Sequence, residues 1–318
     1  MLPEKRKRLI IGIISIIVII IVVILLGKIS SFIKNRNDEN VQRNDDYSEI
    51  YDYIGVTIDE DNIYKIYGIN EDEEKYLDVK TFYEVKDMIN IDKKIVLYSD
   101  AVNELRYDNK KKEFYFYELD EFYNKYDNVK LTHDYMVISD DEKVSYRKYG
   151  SDTIEKVEQT NEYLVHNNKL YYAIDESIYE YDMTSKKKKM IAMYEKNDNV
   201  ELVDVSDKYL FYLKNDELNA CSLEKFANYD LSPLSFYSIS NDGFITLENK
   251  VLKNYSISRG EYLYDYFVSG NINNLFYLDN NNFYLSFDDN YVIIDMKSSK
   301  VWKNLSNKYI YLMKVNNT

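Results

Sequence analysis

The 318-residue chain holds one cysteine, one tryptophan, two histidines, two prolines and eight glycines. A single cysteine, Cys221, excludes an intrachain disulfide, so the fold rests on its core alone. One thiol with His133 and His166 gives no Cys/His set for a zinc cluster. No G-x-S-x-G, Walker A loop, G-x-G-x-x-G or H-E-x-x-H occurs, which removes the recognisable marks of serine hydrolases, nucleotide binders and zinc proteases. Both histidines sit beside strand starts and read as turn residues. Cys221 lies in the alternating context Leu218-Asn-Ala-Cys-Ser-Leu223 and reads as a small buried apolar residue rather than a reactive thiol. No catalytic residue, cofactor or metal ligand is expected.

The chain also lacks a sustained 3.6-residue apolar period. The exception is Leu9 to Leu26, which runs 18 residues without a charge or a proline. As a helix this stretch spans roughly 27 Å, close to the hydrocarbon thickness of a bilayer. Lys5, Arg6, Lys7 and Arg8 precede it in a tight group; Lys28, Lys34 and Arg36 follow, more dispersed. That bias predicts a cytoplasmic N-terminus. The run outlasts a cleavable signal peptide, and Ile29 stands where a small residue is needed before a cut. The expected organisation is a cytoplasmic N-terminus over 1–8, a transmembrane helix over 9–27, a polar linker over 28–49, and one extracytoplasmic domain over 50–318. An extracytoplasmic domain without disulfides fits a bacterial surface better than a eukaryotic secretory route.

Residues 37–318 carry 34 Lys/Arg against 54 Asp/Glu, a net charge of −20. A uniform charge of that sign is repelled by nucleic acid and by anionic lipid surfaces. Acidic pairs such as Asp59/Asp61, Asp72/Glu74, Asp140/Asp141 and Asp288/Asp289 are too common in such a chain to mark a glycosidase. Asp59–Asn62 and Asp279–Asn282 place oxygens in turns without the glycine and distal glutamate of an EF-hand, and read as solvated hairpin turns. Lys186–Lys189 reads as a solvated turn after a strand.

From Ile50 onward, short runs of Tyr, Ile, Val and Phe alternate with Asn/Asp/Lys clusters, the pattern of pleated strands. Lys80–Met88 and Leu119–Tyr126 are candidate short helices between strands. A paired-strand signature recurs. It is clearest at Lys169-Leu-Tyr-Tyr-Ala-Ile with Ser177-Ile-Tyr-Glu-Tyr-Asp-Met, and at Lys208-Tyr-Leu-Phe-Tyr-Leu with Glu217-Leu-Asn-Ala-Cys-Ser-Leu. Further copies start at Asn62, Lys94, Asp134, Gly243 and Asn274, and a half-copy starts at Lys308. The mean interval of about 35 residues suits one blade of a β-propeller. The half-copy predicts closure, with Tyr309–Val315 pairing near Tyr53–Ile58. The expected fold is all-β, a propeller of about seven blades, with six and eight as the neighbouring counts because the first copies are ragged.

The hairpins of Lys169–Lys189, with Tyr179-Glu-Tyr-Asp182 at their centre, resemble those of divergent bacterial extracytoplasmic β-propellers. The WD40 Gly-His and Trp-Asp pairs, a kelch-like Gly-Gly and the quinoprotein tryptophan motif are absent. The resemblance therefore implies architecture and assigns no site residue. Most of the 35 tyrosines alternate within strands and read as sheet-face filler. Tyr149, Tyr229 and Tyr262 read as loop-tip residues and are the candidate ligand contacts. The function that follows is a membrane-anchored binding or scaffolding module for a surface protein, peptide or wall glycan. Two alternatives stay open: a surface glycan hydrolase or lyase with carboxylates at the channel mouth, and a sensor ectodomain.

Overall fold

In a computed structural model, the described residues are 50–91, 94–108, 110–120, 128–140, 143–160, 162–225, 227–279 and 281–315. The cytoplasmic stretch 1–8, the transmembrane helix 9–27 and the linker 28–49 lie outside them. No helix among the described residues is long and apolar enough to cross a membrane.

The strands form seven four-stranded antiparallel sheets, the blades of a seven-bladed β-propeller. Within a blade the strands are lettered a to d from the centre outward. Blade 1 takes strands b, c and d from β1 (Tyr53–Ile58), β2 (Tyr64–Ile69) and β3 (Glu74–Tyr76). Blade 2 is β4 (Asp87–Ile91), β5 (Lys94–Tyr98), β6 (Val102–Asp108) and β7 (Glu113–Asp120). Blade 3 is β8 (Asn128–Leu131), β9 (Tyr135–Asp140), β10 (Lys143–Lys148) and β11 (Glu155–Gln159). Blade 4 is β12 (Tyr163–His166), β13 (Lys169–Ile174), β14 (Ser177–Asp182) and β15 (Lys187–Met193). Blade 5 is β16 (Val200–Val205), β17 (Tyr209–Lys214), β18 (Glu217–Ser222) and β19 (Asn228–Asp230). Blade 6 is β20 (Ser238–Ser240), β21 (Gly243–Glu248), β22 (Val251–Ser256) and β23 (Glu261–Phe267). Blade 7 is β24 (Ile272–Asp279), β25 (Asn282–Phe287), β26 (Asn290–Asp295) and β27 (Lys300–Leu305). The a strands touch from blade to blade, as between β4 and β8, β12 and β16, and β20 and β24.

Strand a of blade 1 is the last strand, β28 (Tyr311–Lys314). It pairs antiparallel with β1, from Tyr53 opposite Lys314 to Val56 opposite Tyr311. The closing strand thus falls where the terminal half-copy predicts. Glu74 of β3 fastens it from the other side. Its carboxylate accepts the N–H of Ser306 (2.7 Å) and Asn307 (3.2 Å), the Asn307 amide (2.5 Å) and the buried Tyr309 hydroxyl (2.6 Å). Burial pushes this carboxyl up, but these bonds outweigh it and hold it below the usual range.

One apolar cluster lies between each pair of neighbouring blades, and alternation along a strand feeds two of them. In β13, Leu170 and Tyr172 pack toward blade 3 while Tyr171 packs toward blade 5. In β17, Leu210 and Tyr212 face blade 4 while Tyr209 and Phe211 face blade 6. Both faces of a b strand are dry, so it reads as a continuous apolar run. Tyrosine supplies the volume: Tyr98, Tyr146, Tyr171, Tyr172, Tyr284 and Tyr309 are fully buried. Tight turns join the strands. Asp175-Glu176, Asn215-Asp216 and Asn249-Lys250 each place two successive residues at positive φ, the twist that suits a two-residue hairpin.

Several expectations need correcting. Residues 80–86 form no helix; Phe82 bridges to Tyr64 and β4 begins at Asp87. Leu119 belongs to β7, and Glu121–Tyr126 lie outside the described residues. The copy at Asn274 is out of phase. Its apolar run is strand a of blade 7, and the true b–c hairpin is β25 and β26. The copy at Asn62 pairs strands c and d, because strand b is β1. Lys187–Lys189 open β15, so only Lys186 belongs to the turn.

Candidate functional site

In a meander of four antiparallel strands, the a–b and c–d turns lie at one end and the b–c turns at the other. Strand b of blade 1 starts at Tyr53 and strand a ends at Lys314, so the described chain enters and leaves on the face of the a–b and c–d turns. That entry face holds a cavity of about 500 Å³ at the seam between blades 7 and 1. Ile50, Tyr51, Asp52 and Tyr53 line it where the chain enters. Asn70, Glu71 and Asp72 come from the c–d turn of blade 1, and Asn282, Trp302 and Lys314 from blade 7 and the closing strand.

The walls are held by specific bonds. Asn70 donates its amide to the Ile50 carbonyl (3.2 Å) and accepts the N–H of Asp72 and Glu73, which shapes the turn. Lys303 reaches across from β27 to the carbonyls of Asn70 (2.6 Å) and Glu71 (2.9 Å). Lys314 pairs with Asp279 at 2.9 Å, and Asn282 donates to the same carboxylate. Tyr53 meets the half-buried Trp302 edge-on at 5.2 Å. Burial, then the charges of Asp279 and Asp52, push the Tyr53 hydroxyl up, so that ring stays neutral. The cavity is therefore mainly polar: Tyr53 is buried behind the half-buried Trp302, and Glu71 and Asp72 are exposed. Its carboxylates can accept hydrogen bonds from hydroxyl or amine groups.

Two carboxyls elsewhere in the ring are pushed up by burial. Asp87, at the start of β4, accepts the Leu131 N–H at 2.5 Å and faces Lys130 at 3.7 Å, which only partly offset its burial. Asp204, in β16, is offset by the Val205 N–H and His166. They stand in blades 2 and 5, and neither lines the cavity.

The three tyrosines singled out from the sequence lie in blades 3, 5 and 6. Tyr149 follows β10 and donates its hydroxyl to the Thr132 carbonyl at 2.7 Å. Tyr229 is on the outer strand β19, edge-on to Tyr209. Tyr262 is on the outer strand β23, where it lines a 260 Å³ cleft with Lys253 and bonds Glu248. Tyr229 and Tyr262 are thus strand residues rather than loop tips. His133 and His166 lie in neighbouring blades but contact different acids, Asp134 and Asp207. Among the described residues no group of three or more His, Cys, Asp or Glu is placed to hold a metal ion. The Asp59 turn is an internally bonded one, its carboxylate accepting the N–H of Asp61 and Ile63. The seam cavity escaped sequence reasoning; the lone tryptophan and the acidic Glu71-Asp72 turn were its only marks.

No protein-family model matches the chain, and no curated protein matches it. Solved structures do. BamB from Moraxella catarrhalis is 11% identical, over 80% of this chain and 87% of that one, with a TM-score of 0.42. Hsv2 from Kluyveromyces lactis is 8% identical, over 67% of this chain and 73% of that one, at 0.44. The dihydro-heme d1 dehydrogenase NirN is 12% identical, over 81% of this chain and 64% of that one, at 0.49. The seven-bladed ring rests on its own strand pairing, and these likenesses assign no residue a role.

Proposed function

We propose that residues 50–318 are a binding or scaffolding module held at the outer face of a bacterial membrane by the apolar stretch 9–27. The ring is a rigid frame, and the seam cavity takes the ligand, a group from a surface protein, peptide or wall glycan. The observation that supports this reading is the cavity itself: about 500 Å³, lined by Asn70, Glu71, Asp72, Asn282 and Lys314 beside the half-buried Trp302. Fixed aromatic and polar groups around a pre-formed concavity are the usual makings of a ligand site.

Trp302 is the only tryptophan, so its emission reads the cavity directly. Titration with soluble wall-glycan fragments and with cationic peptides is expected to give a saturable change for one class. The change should vanish in Glu71→Ala/Asp72→Ala. Saturable binding that leaves Trp302 emission unmoved and survives that double substitution places the ligand elsewhere. The anchor is tested separately: a mature N-terminus found beyond residue 27 overturns it.

A further inference from the structure

The seam cavity carries more acid than base. Asp52, Glu71 and Asp72 line it, and Asp279 adjoins it through Asn282 and Lys314. The two cations beside it are already engaged. Lys314 pairs with Asp279 at 2.9 Å, and Lys303 is held by the carbonyls of Asn70 and Glu71. Glu71 and Asp72 are exposed, and among the described residues neither makes an ion pair. Unbalanced carboxylates in a concave site attract a cation. Trp302 is half-buried and Tyr53 lies buried behind it, so no open platform is left for a sugar ring to stack on. An ammonium on a slender stem fits better. Its compact head carries three donors, which suits separately placed acceptors: the two carboxylates and the Asn282 carbonyl, whose own amide nitrogen donates to Asp279.

The walls of this cavity come from both ends of the ring. Residues 50–53 lead into β1, residues 70–72 turn between β2 and β3, residues 282 and 302 belong to blade 7, and Lys314 to the closing strand. The same elements carry the closure. The Val315 N–H donates to the Asp52 carbonyl at 2.9 Å, and the Ile310 N–H to the Val56 carbonyl at 3.0 Å. Release of β28 from β1 therefore withdraws Lys314 and unties Asp52, and the cavity loses its shape. A ligand that needs the assembled cavity binds only the closed ring and opposes that release by mass action. We infer that the seam cavity takes a lysine-type ammonium group of a peptide or protein partner, and that its occupancy locks the closing strand in place. This rests on the cavity reading above, to which it adds the chemistry of the ligand and its consequence for the ring.

The probe is tetralysine, with the same peptide acetylated on every amine as its neutral match. Trp302 emission of the full chain gives the dissociation constant. Tetralysine should bind at least about tenfold more tightly than the acetylated peptide, and Glu71→Ala/Asp72→Ala should remove the difference. Glu60→Ala/Asp61→Ala takes the same charge from the b–c turn of blade 1, at the other end of its strands, and should leave binding unchanged. An equal loss there means diffuse attraction to an acidic domain and overturns the inference. Hydrogen exchange read by mass spectrometry follows the lock. Without the probe, the amides of 310–315 should exchange at least about tenfold faster than those of 170–173 in strand b of blade 4. With tetralysine at about ten times its dissociation constant, 310–315 should slow about tenfold. Equal exchange at the two places in the free chain, or no slowing at 310–315 in the bound one, overturns the lock. Equal binding of the two peptides, or no response to either, overturns the ammonium assignment. The cavity reading survives each of these outcomes. It falls only if saturable binding leaves Trp302 unmoved and persists in Glu71→Ala/Asp72→Ala, which overturns both.

Discussion

Glu74→Ala should loosen the ring at its one non-covalent closure. Glu74 receives four hydrogen bonds from residues 306–309, and they differ in worth. The Ser306 N–H is exposed and regains water when the carboxylate is removed, so its loss costs little. The Tyr309 hydroxyl belongs to a fully buried side chain, and a bond to a charged acceptor is worth about 1.5–3 kcal/mol. Adding a fraction for the Asn307 amide, the substitution should cost about 2–4 kcal/mol. Urea unfolding of the full chain, followed by Trp302 emission, measures this, because Trp302 stands on β27 just before the latch. Tyr309→Phe removes the same bond from the other side. The double variant should therefore cost less than the two singles together, with a coupling of about 1–2 kcal/mol. The pH dependence has a defined sign. The carboxyl of Glu74 is held low in the folded ring, so its contribution is complete above the ordinary glutamate range. It is lost as pH falls through the lower folded value, and wild type and Glu74→Gln should converge once the pH lies below it. A Glu74→Ala variant within about 0.5 kcal/mol of wild type, or a coupling near zero, refutes the latch.

Other substitutions probe the packing. Arg147→Ala leaves the Asp120 carboxylate, its partner at 2.5 Å between blades 3 and 2, with the Gly150 N–H but without that countercharge, and both side chains are 5% exposed. The expected loss is about 3–5 kcal/mol in the same urea assay. Gly55→Ala drives a methyl group into the Tyr309 ring and should cost about 1–3 kcal/mol; no change would mean that the ring has room to move. Cys221 is fully buried and burial pushes its thiol up to about 12. Iodoacetamide at pH 8 should leave it intact in the folded chain and alkylate it fully in guanidinium, as read by intact mass.

The b–c hairpins were legible because both of their faces are dry. Runs such as Lys169–Ile174 and Tyr209–Lys214 are apolar apart from one terminal lysine each and are bounded by turn residues. The a strands were not. Ser238–Ser240 is three residues long, and Asn128–Leu131 alternates exposed with buried positions beside the central channel. Blade 7 was misphased because its a strand, Ile272–Asp279, is as long and aromatic as a b strand. Blade 1 was misphased because its a strand lies at the other end of the chain. The cavity was hidden for the same reason. It joins residues 50–53, 70–72, 282, 302 and 314, which only ring closure brings together.

The pairing of β28 with β1 also sets a clock. The inner edge of blade 1 exists once β1 has been made, but its partner is encoded about 250 residues later. At roughly 5–20 residues per second, that edge waits on the order of ten seconds to a minute during synthesis. For that interval Tyr53, Ile54 and Val56, all buried in the finished ring, lie on an unpaired strand open to any other chain. A chain that stops short of Tyr311 never leaves that state, so an incomplete copy exposes a sticky edge for quality-control proteases to find.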